Sequence, residues 1–239
     1  VISIAAAVHV GILVLEKDLG AALIYFVTYL MMLYVATMKL RYLAAGAFAG
    51  TAASVVAYQL FAHVRVRVAA WQDPWSNMNQ GGYQICQSLF AIGTGGLFGM
   101  GLGQGMPKSV PVVESDFIFS AIAEEMGVIF CIFLILIYIS SFIMFVNIAL
   151  KMKKNFYKLC AFGLSVVLIF QVFLSIGGVT KFIPSTGVTL PLISYGGSSI
   201  ITTIVIFSII QGMYVRNRRE EVTTNEEQAA INRKSGKRQ

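Results

Sequence analysis

The chain has 239 residues, of which 57% are hydrophobic and only 12% charged. A soluble domain carries about a quarter charged residues, so this composition excludes an ordinary water-soluble core. The net charge of +7 does not point to nucleic acid: seven of the 18 basic residues lie from Arg216 onward and four between Lys151 and Lys158, with no basic stripe interleaved with aromatics.

In chain order, the apolar runs predict membrane-spanning helices near 1–15, 19–38, 42–62, 117–148, 159–179 and 190–214. Each is about 20 apolar residues, the length a helix needs to cross the hydrocarbon layer. The first run opens at Val1 without an initiating Met, as a truncated span would. Between the third and fourth runs lies a polar, glycine-rich stretch, 63–116. The tail from Arg216 is charged and lacks aromatics, a composition that predicts disorder. The fold class expected is therefore all-α: a polytopic transmembrane bundle over 1–215, with loop 63–116 outside and a basic cytoplasmic tail over 216–239.

Lys and Arg set the orientation. With the tail inside, 13 basic residues fall on the inner side, and only Lys17, Arg65, Arg67, Lys108 and Lys181 fall outside. Ionisable groups at membrane depth are costly and mark functional sites. Glu124 and Glu125 qualify, and Asp116, Ser120 and Glu124 would share one helical face.

Asp116 stands where a long helix begins, so its carboxylate would satisfy free backbone N–H groups as an N-cap or serve as a base. Capping holds a carboxyl pKa low, and Glu114 with the Glu124/Glu125 pair would oppose that. Arg65 and Arg67 break the positive-inside pattern, which an outer anion such as a pyrophosphate would explain. The seven glycines in 93–105 match neither a dinucleotide fingerprint nor a P-loop; tight backbone packing or a re-entrant loop is expected instead. The small polar run 184–199, with Ser194 and Ser198, either kinks the last helix or lines a cavity between helices. Cys86, Cys131 and Cys160 show no metal or redox spacing, and His9 and His63 lack neighbouring acids, so no metal site is expected.

Five stretches occur together in an order that resembles the SEDS family (shape, elongation, division and sporulation), which includes FtsW, RodA and SpoVE. They are Asp18-Leu-Gly-Ala-Ala-Leu-Ile24; Arg65-Val-Arg67 with Asp73-Pro74; Gly82-Tyr-Gln-Ile-Cys-Gln87-Ser88 running into Ala91-Ile-Gly-Thr-Gly-Gly96; Glu114-Ser-Asp116 through Glu124-Glu125-Met-Gly127; and Pro184 to Ser199. They cover roughly residues 12–215.

The resemblance implies a peptidoglycan glycosyltransferase of the bacterial cytoplasmic membrane that polymerises lipid II, with Asp116 at the family's essential aspartate. Family members have ten spans, so the first four would be absent and the fragment inactive by itself. The reaction implied is attack of a sugar 4-hydroxyl on an anomeric carbon, with undecaprenyl pyrophosphate leaving. Arg65, Arg67, Lys108, Glu114, Glu125, Ser194 and Ser198 are the candidate substrate-binding residues. No cofactor is required, with a divalent cation left open. Expected partners are lipid II, undecaprenyl-linked glycan, membrane lipid and a class B penicillin-binding protein. A lipid II flippase and a non-catalytic scaffold of the cell-wall machinery are the rival readings. Below Glu125 the fourth span carries no ionisable group until Lys151, which weighs against a headgroup path across the bilayer.

Overall fold

The computed structural model describes residues 18–236, together with Gly11 and Glu16. The expected span 1–15 and Lys17 thus lie outside the described residues, Gly11 apart. Among the described residues the fold is helical: α1 (Leu19–Thr37), α2 (Leu40–Leu60), α3 (Ala62–Gln72), α4 (Gly82–Gly95), α5 (Ile118–Leu150), α6 (Asn155–Val179) and α7 (Gly197–Gly236). Five of these, α1, α2, α5, α6 and α7, are long and apolar enough to cross a membrane. The chain is a multi-pass membrane protein.

Helix starts and stops follow local chemistry. Asp18 caps α1, its Oδ1 accepting the Ala21 N–H at 2.9 Å. Met38 closes the same helix in the left-handed region, its N–H bonded to the Tyr34 carbonyl at 2.7 Å. The chain then reverses at once into α2. This helix has no buried residue and touches α1 through glycines, Gly46 against Leu30 and Gly50 against Phe26. At the far end a single extended residue, Phe61, turns the chain from α2 into α3.

The centre of the bundle is α6. Its buried side is made of small and branched residues, including Ala161, Gly163, Ser165, Leu168, Val172 and Gly178. Small residues let helices approach closely where no water drives them together. Gly163 accommodates the Met32 sulfur of α1, and Gly177 and Gly178 accommodate Ile183 and Ser185. Around α6 and α5 a continuous apolar cluster gathers Phe117, Phe119, Tyr138, Val172, Val179 and Leu190.

Three expectations are corrected. The stretch 63–116 is not an irregular loop: it contains α3, α4 and two 3-10 turns, Met78–Gln80 and Pro107–Ser109. Periodicity there is masked by glycine and polar residues on half-buried faces. The last span begins at Gly197 rather than 190, because 184–196 forms a tucked segment before the helix. The charged tail is not irregular either; α7 continues to Gly236. Its first charged turns are supported by i,i+4 pairs, Arg216 to Glu220 at 3.2 Å and Asn217 to Glu221 at 3.1 Å. Lys154 adds an ion pair to Glu220 at 3.5 Å, and Arg216 lies over the Tyr157 ring.

The glycine-rich segment shows the tight backbone packing expected of it. Helix α5 is broken at Gly127 (φ 80°, ψ 171°), which frees carbonyls before the break and amides after it. The end of α4 supplies the partners. Met100 and Gly101 amides donate to the Glu124 and Glu125 carbonyls at 2.9 and 3.0 Å, and Val128 and Ile129 donate to Gly96 and Leu97 at 3.0 and 3.3 Å. Backbones this close leave no room for side chains: a Cβ on Gly95, Gly99 or Gly127 would meet backbone atoms at 2.0–2.4 Å. Nine residues of helix separate Ile118 from Gly127, about 14 Å along the axis. Helix α4 and its loop therefore descend beside α5, in the manner of a re-entrant hairpin.

Candidate functional site

The site forms at one end of the bundle, where segment 180–196 is drawn in between helices. Buried loop carbonyls need donors, and four side chains from three helices provide them. Trp71 of α3 donates its indole N–H to the Lys181 carbonyl at 3.0 Å. Arg67, also on α3, donates to the Ser185 and Thr186 carbonyls at 3.5 and 3.2 Å. Tyr138 of α5 donates to the Pro191 carbonyl at 2.5 Å, and Gln171 of α6 to that of Thr189 at 3.1 Å. Ser194 is buried; its hydroxyl accepts from the Leu190 N–H and donates to the Ser115 carbonyl. The Tyr195 N–H donates to the Glu114 carbonyl at 2.7 Å. These bonds fix the segment against the residues that precede α5.

Asp116 lies in that junction, and it is not a helix cap. Helix α5 begins at Ile118, its N-cap position is Phe117, and no side chain caps it. The half-buried Asp116 carboxylate accepts no hydrogen bond from the described residues and lines an open cavity of about 400 Å³. Facing it across the cavity are His63 and Arg67 from α3, Gln84 from α4, and Ser185 and Gly187 from the tucked segment. Gly187 has φ +74°, and a Cβ there would lie 3.4 Å from Asp116 Oδ2. Glycine is the residue that adopts this backbone without strain, and it places no side chain beside the carboxylate.

The other residues singled out from the sequence fall elsewhere. Arg65 is exposed and its guanidinium bonds the Gln59 carbonyl at 2.6 Å, away from the cavity lining. Lys108 is exposed on a 3-10 turn, Glu114 is exposed and Ser198 is exposed. Glu125 is half-buried, with its carbonyl held by Gly101. In the polar seam expected below Asp116, Ser120 bonds the Phe117 carbonyl at 2.6 Å, and buried Glu124 accepts the Met106 N–H at 3.1 Å through Oε1 while its Oε2 has no partner among the described residues. Thus the structure brings together Asp116 and Arg67 only. It adds His63, Gln84, Ser185 and Gly187. The spacing of His63 and Arg67, four residues apart, would have revealed a shared face had 62–72 been read as helix.

At the outer edge of α3, Asp73 is held below the ordinary aspartate range by the Ser76 hydroxyl, which donates to it at 2.5 Å, and by the Ser76 backbone N–H. Asp73 thereby braces the turn after α3 rather than the cavity.

A second hollow adjoins the first. It is an apolar groove of about 430 Å³ between α1, α2, α3 and α6, lined by residues such as Leu19, Leu23, Phe26, Phe170 and Phe173. Arg67 and Ser185 belong to both walls, so the groove and the cavity that holds Asp116 lie side by side against the same two residues.

Residues 1–219 match the profile of the FtsW/RodA/SpoVE family, described as cell cycle proteins. The chain belongs to this family. Over 203 residues it is 42% identical to the peptidoglycan glycosyltransferase RodA of Mycobacterium tuberculosis (strain ATCC 25618 / H37Rv), covering 85% of this chain and 43% of that protein. It is 34% identical to the probable peptidoglycan glycosyltransferase FtsW of Geobacter sp. (strain M18), covering 88% of this chain and 58% of that protein. Among solved structures, it matches a chain from work on the structural coordination of polymerization and crosslinking by a peptidoglycan synthase complex. That match has a TM-score of 0.73 and 28% identity, and covers 90% of this chain and 61% of the other. The chain spans about half the length of the curated relatives it matches. For this FtsW/RodA/SpoVE member, the cavity with Asp116 and Arg67 is accordingly built from one part of a longer family fold.

Proposed function

We propose that the whole protein is a peptidoglycan glycosyltransferase that polymerises lipid II at the outer end of this helix bundle. The observation that carries the reading is the junction of the two hollows at Arg67 and Ser185. A polyprenyl-linked sugar has three chemically distinct parts in one order: an apolar chain, a diphosphate and a sugar. The groove, Arg67 and the Asp116 cavity offer an apolar wall, a guanidinium and a carboxylate in the same order. The names of the relatives support the same substrate class.

In this mechanism the Asp116 carboxylate accepts the proton of the acceptor's 4-hydroxyl as its oxygen bonds to the anomeric carbon. The bond from that carbon to the diphosphate oxygen breaks, and Arg67 receives the charge developing on the leaving group. Direct displacement of this kind inverts the anomeric centre. Were a divalent cation to accompany the diphosphate, Asp116 is the one carboxylate among the described cavity-lining residues that would hold it, and the ion would supply positive charge to the leaving group. The partner proposed is a class B penicillin-binding protein, in line with the synthase complex in which the structural neighbour was solved.

The experiment is Asp116→Asn in the full-length protein, scored for lipid II polymerisation and for thermal stability. General-base catalysis contributes about 10²–10⁴-fold. Because the Asp116 side chain caps nothing and accepts no bond from the described residues, melting should stay unchanged while polymer disappears. Near-normal polymer output from Asp116→Asn would end the assignment.

A further inference from the structure

Helix α3 presents one face to the cavity, formed by His63, Val66, Arg67 and Ala70. His63 and Arg67 are one turn apart on that face. Arg67 has protein partners for its guanidinium, whereas His63 makes no side-chain hydrogen bond with the described residues. Its Nε2 is buried and without a partner, and the ring's near neighbour is the apolar Phe61 ring at a centroid distance of 5.5 Å. A buried polar group left unpaired costs stability, and a native structure that retains one invites an explanation in function.

We propose that His63 is a second diphosphate-binding residue, donating an N–H to the same anion that Arg67 receives. The inference rests on the glycosyltransferase reading and adds to it a group that no sequence motif indicated. Three features converge on an anion. Arg67 supplies a full positive charge one turn along the helix. The first turn of α3 begins at Ala62, so His63 sits at the helix end whose dipole favours negative charge. His63 is itself part of the lining of the open cavity, so an anion bound there would lie beside its side chain. The other cavity-lining elements contribute Asp116 before α5, neutral Gln84 from α4, and Ser185 and Gly187 from the tucked segment. Asp116 faces the sugar end in this arrangement, leaving the α3 face to the diphosphate.

The test separates binding from stability, since the two should move in opposite directions. Binding of inorganic pyrophosphate to the full-length protein in detergent is measured by calorimetry for wild type, His63→Phe and His63→Gln, with melting recorded for each. His63→Phe removes the unpaired nitrogen and keeps a ring beside Phe61, so its melting temperature should equal or exceed wild type. Its pyrophosphate affinity should fall about tenfold or more, the loss expected for one hydrogen bond to a charged acceptor. His63→Gln retains an N–H donor and should recover part of that affinity, which also covers the case in which His63→Phe fails to fold. Wild-type affinity in His63→Phe overturns the inference, as does an absence of pyrophosphate binding in the wild-type protein. The glycosyltransferase reading is scored separately by Asp116→Asn, which should keep pyrophosphate binding while losing polymerisation.

Discussion

Replacing Gly127 by Ala tests the interlock between α5 and the segment that follows α4. At φ 80° and ψ 171° the residue occupies a region essentially reserved for glycine, and a side chain forced there costs about 1–3 kcal/mol. The added methyl would also lie 2.4 Å from the Gly99 nitrogen and 2.5 Å from the Leu97 carbonyl oxygen. Both are backbone atoms, so no rotamer change relieves the clash. The strands must separate, and four cross-bonds join them at this point: Met100 to Glu124, Gly101 to Glu125, Val128 to Gly96 and Ile129 to Leu97. Each contributes roughly 0.5–1.5 kcal/mol net, so losing half of them adds about 1–3 kcal/mol. The total, about 2–6 kcal/mol, is a large part of a stability of about 5–15 kcal/mol. Melting should therefore fall by several degrees, with a smaller shift per kcal/mol than in a chain of about 150–250 residues because the full-length protein is longer. The assay is thermal unfolding of the purified full-length protein in detergent, with Gly212→Ala as the comparator. Gly212 lies within α7 with nothing within 4 Å of its would-be Cβ, so that variant should melt like wild type. A Gly127→Ala protein that melts with wild type would refute the interlock.

Gly187→Ala should lower polymerisation more than it lowers stability. Its positive φ costs about 1–2 kcal/mol for an L side chain, while the methyl would set an apolar group in van der Waals contact with Asp116 Oδ2, at 3.4 Å. Unchanged kcat would show that the carboxylate does not need the clearance. Cysteines introduced singly at Ser76 and Ser235, in a background lacking the three native cysteines, test the orientation read from 13 inner and five outer basic residues. An impermeant thiol reagent should label position 76 in intact cells, and labelling at 235 instead would reverse the topology.

Much of this protein is written in composition and period alone. Runs of about 20 apolar residues have one stable solution in a bilayer, because an unpaired backbone group in hydrocarbon costs several kcal/mol. Helices α1, α2, α5 and α6 were therefore legible to within a few residues. Asp116 was legible as a candidate from its family motif, but its freedom was not. Sequence position made it a plausible cap, and only the structure starts α5 two residues later and leaves the carboxylate facing a cavity. The interlock at Gly127 was equally hidden, since it depends on which backbone lies opposite, a contact between residues about 30 apart in the chain. For the same reason adjacent-looking candidates separated. Arg65 and Arg67 are two residues apart, and the 3.6-residue period of α3 turns one toward Gln59 and the other toward Ser185. Local sequence decides which segments become helices; which faces meet across the bundle is decided by long-range packing, and the site exists only where those faces meet.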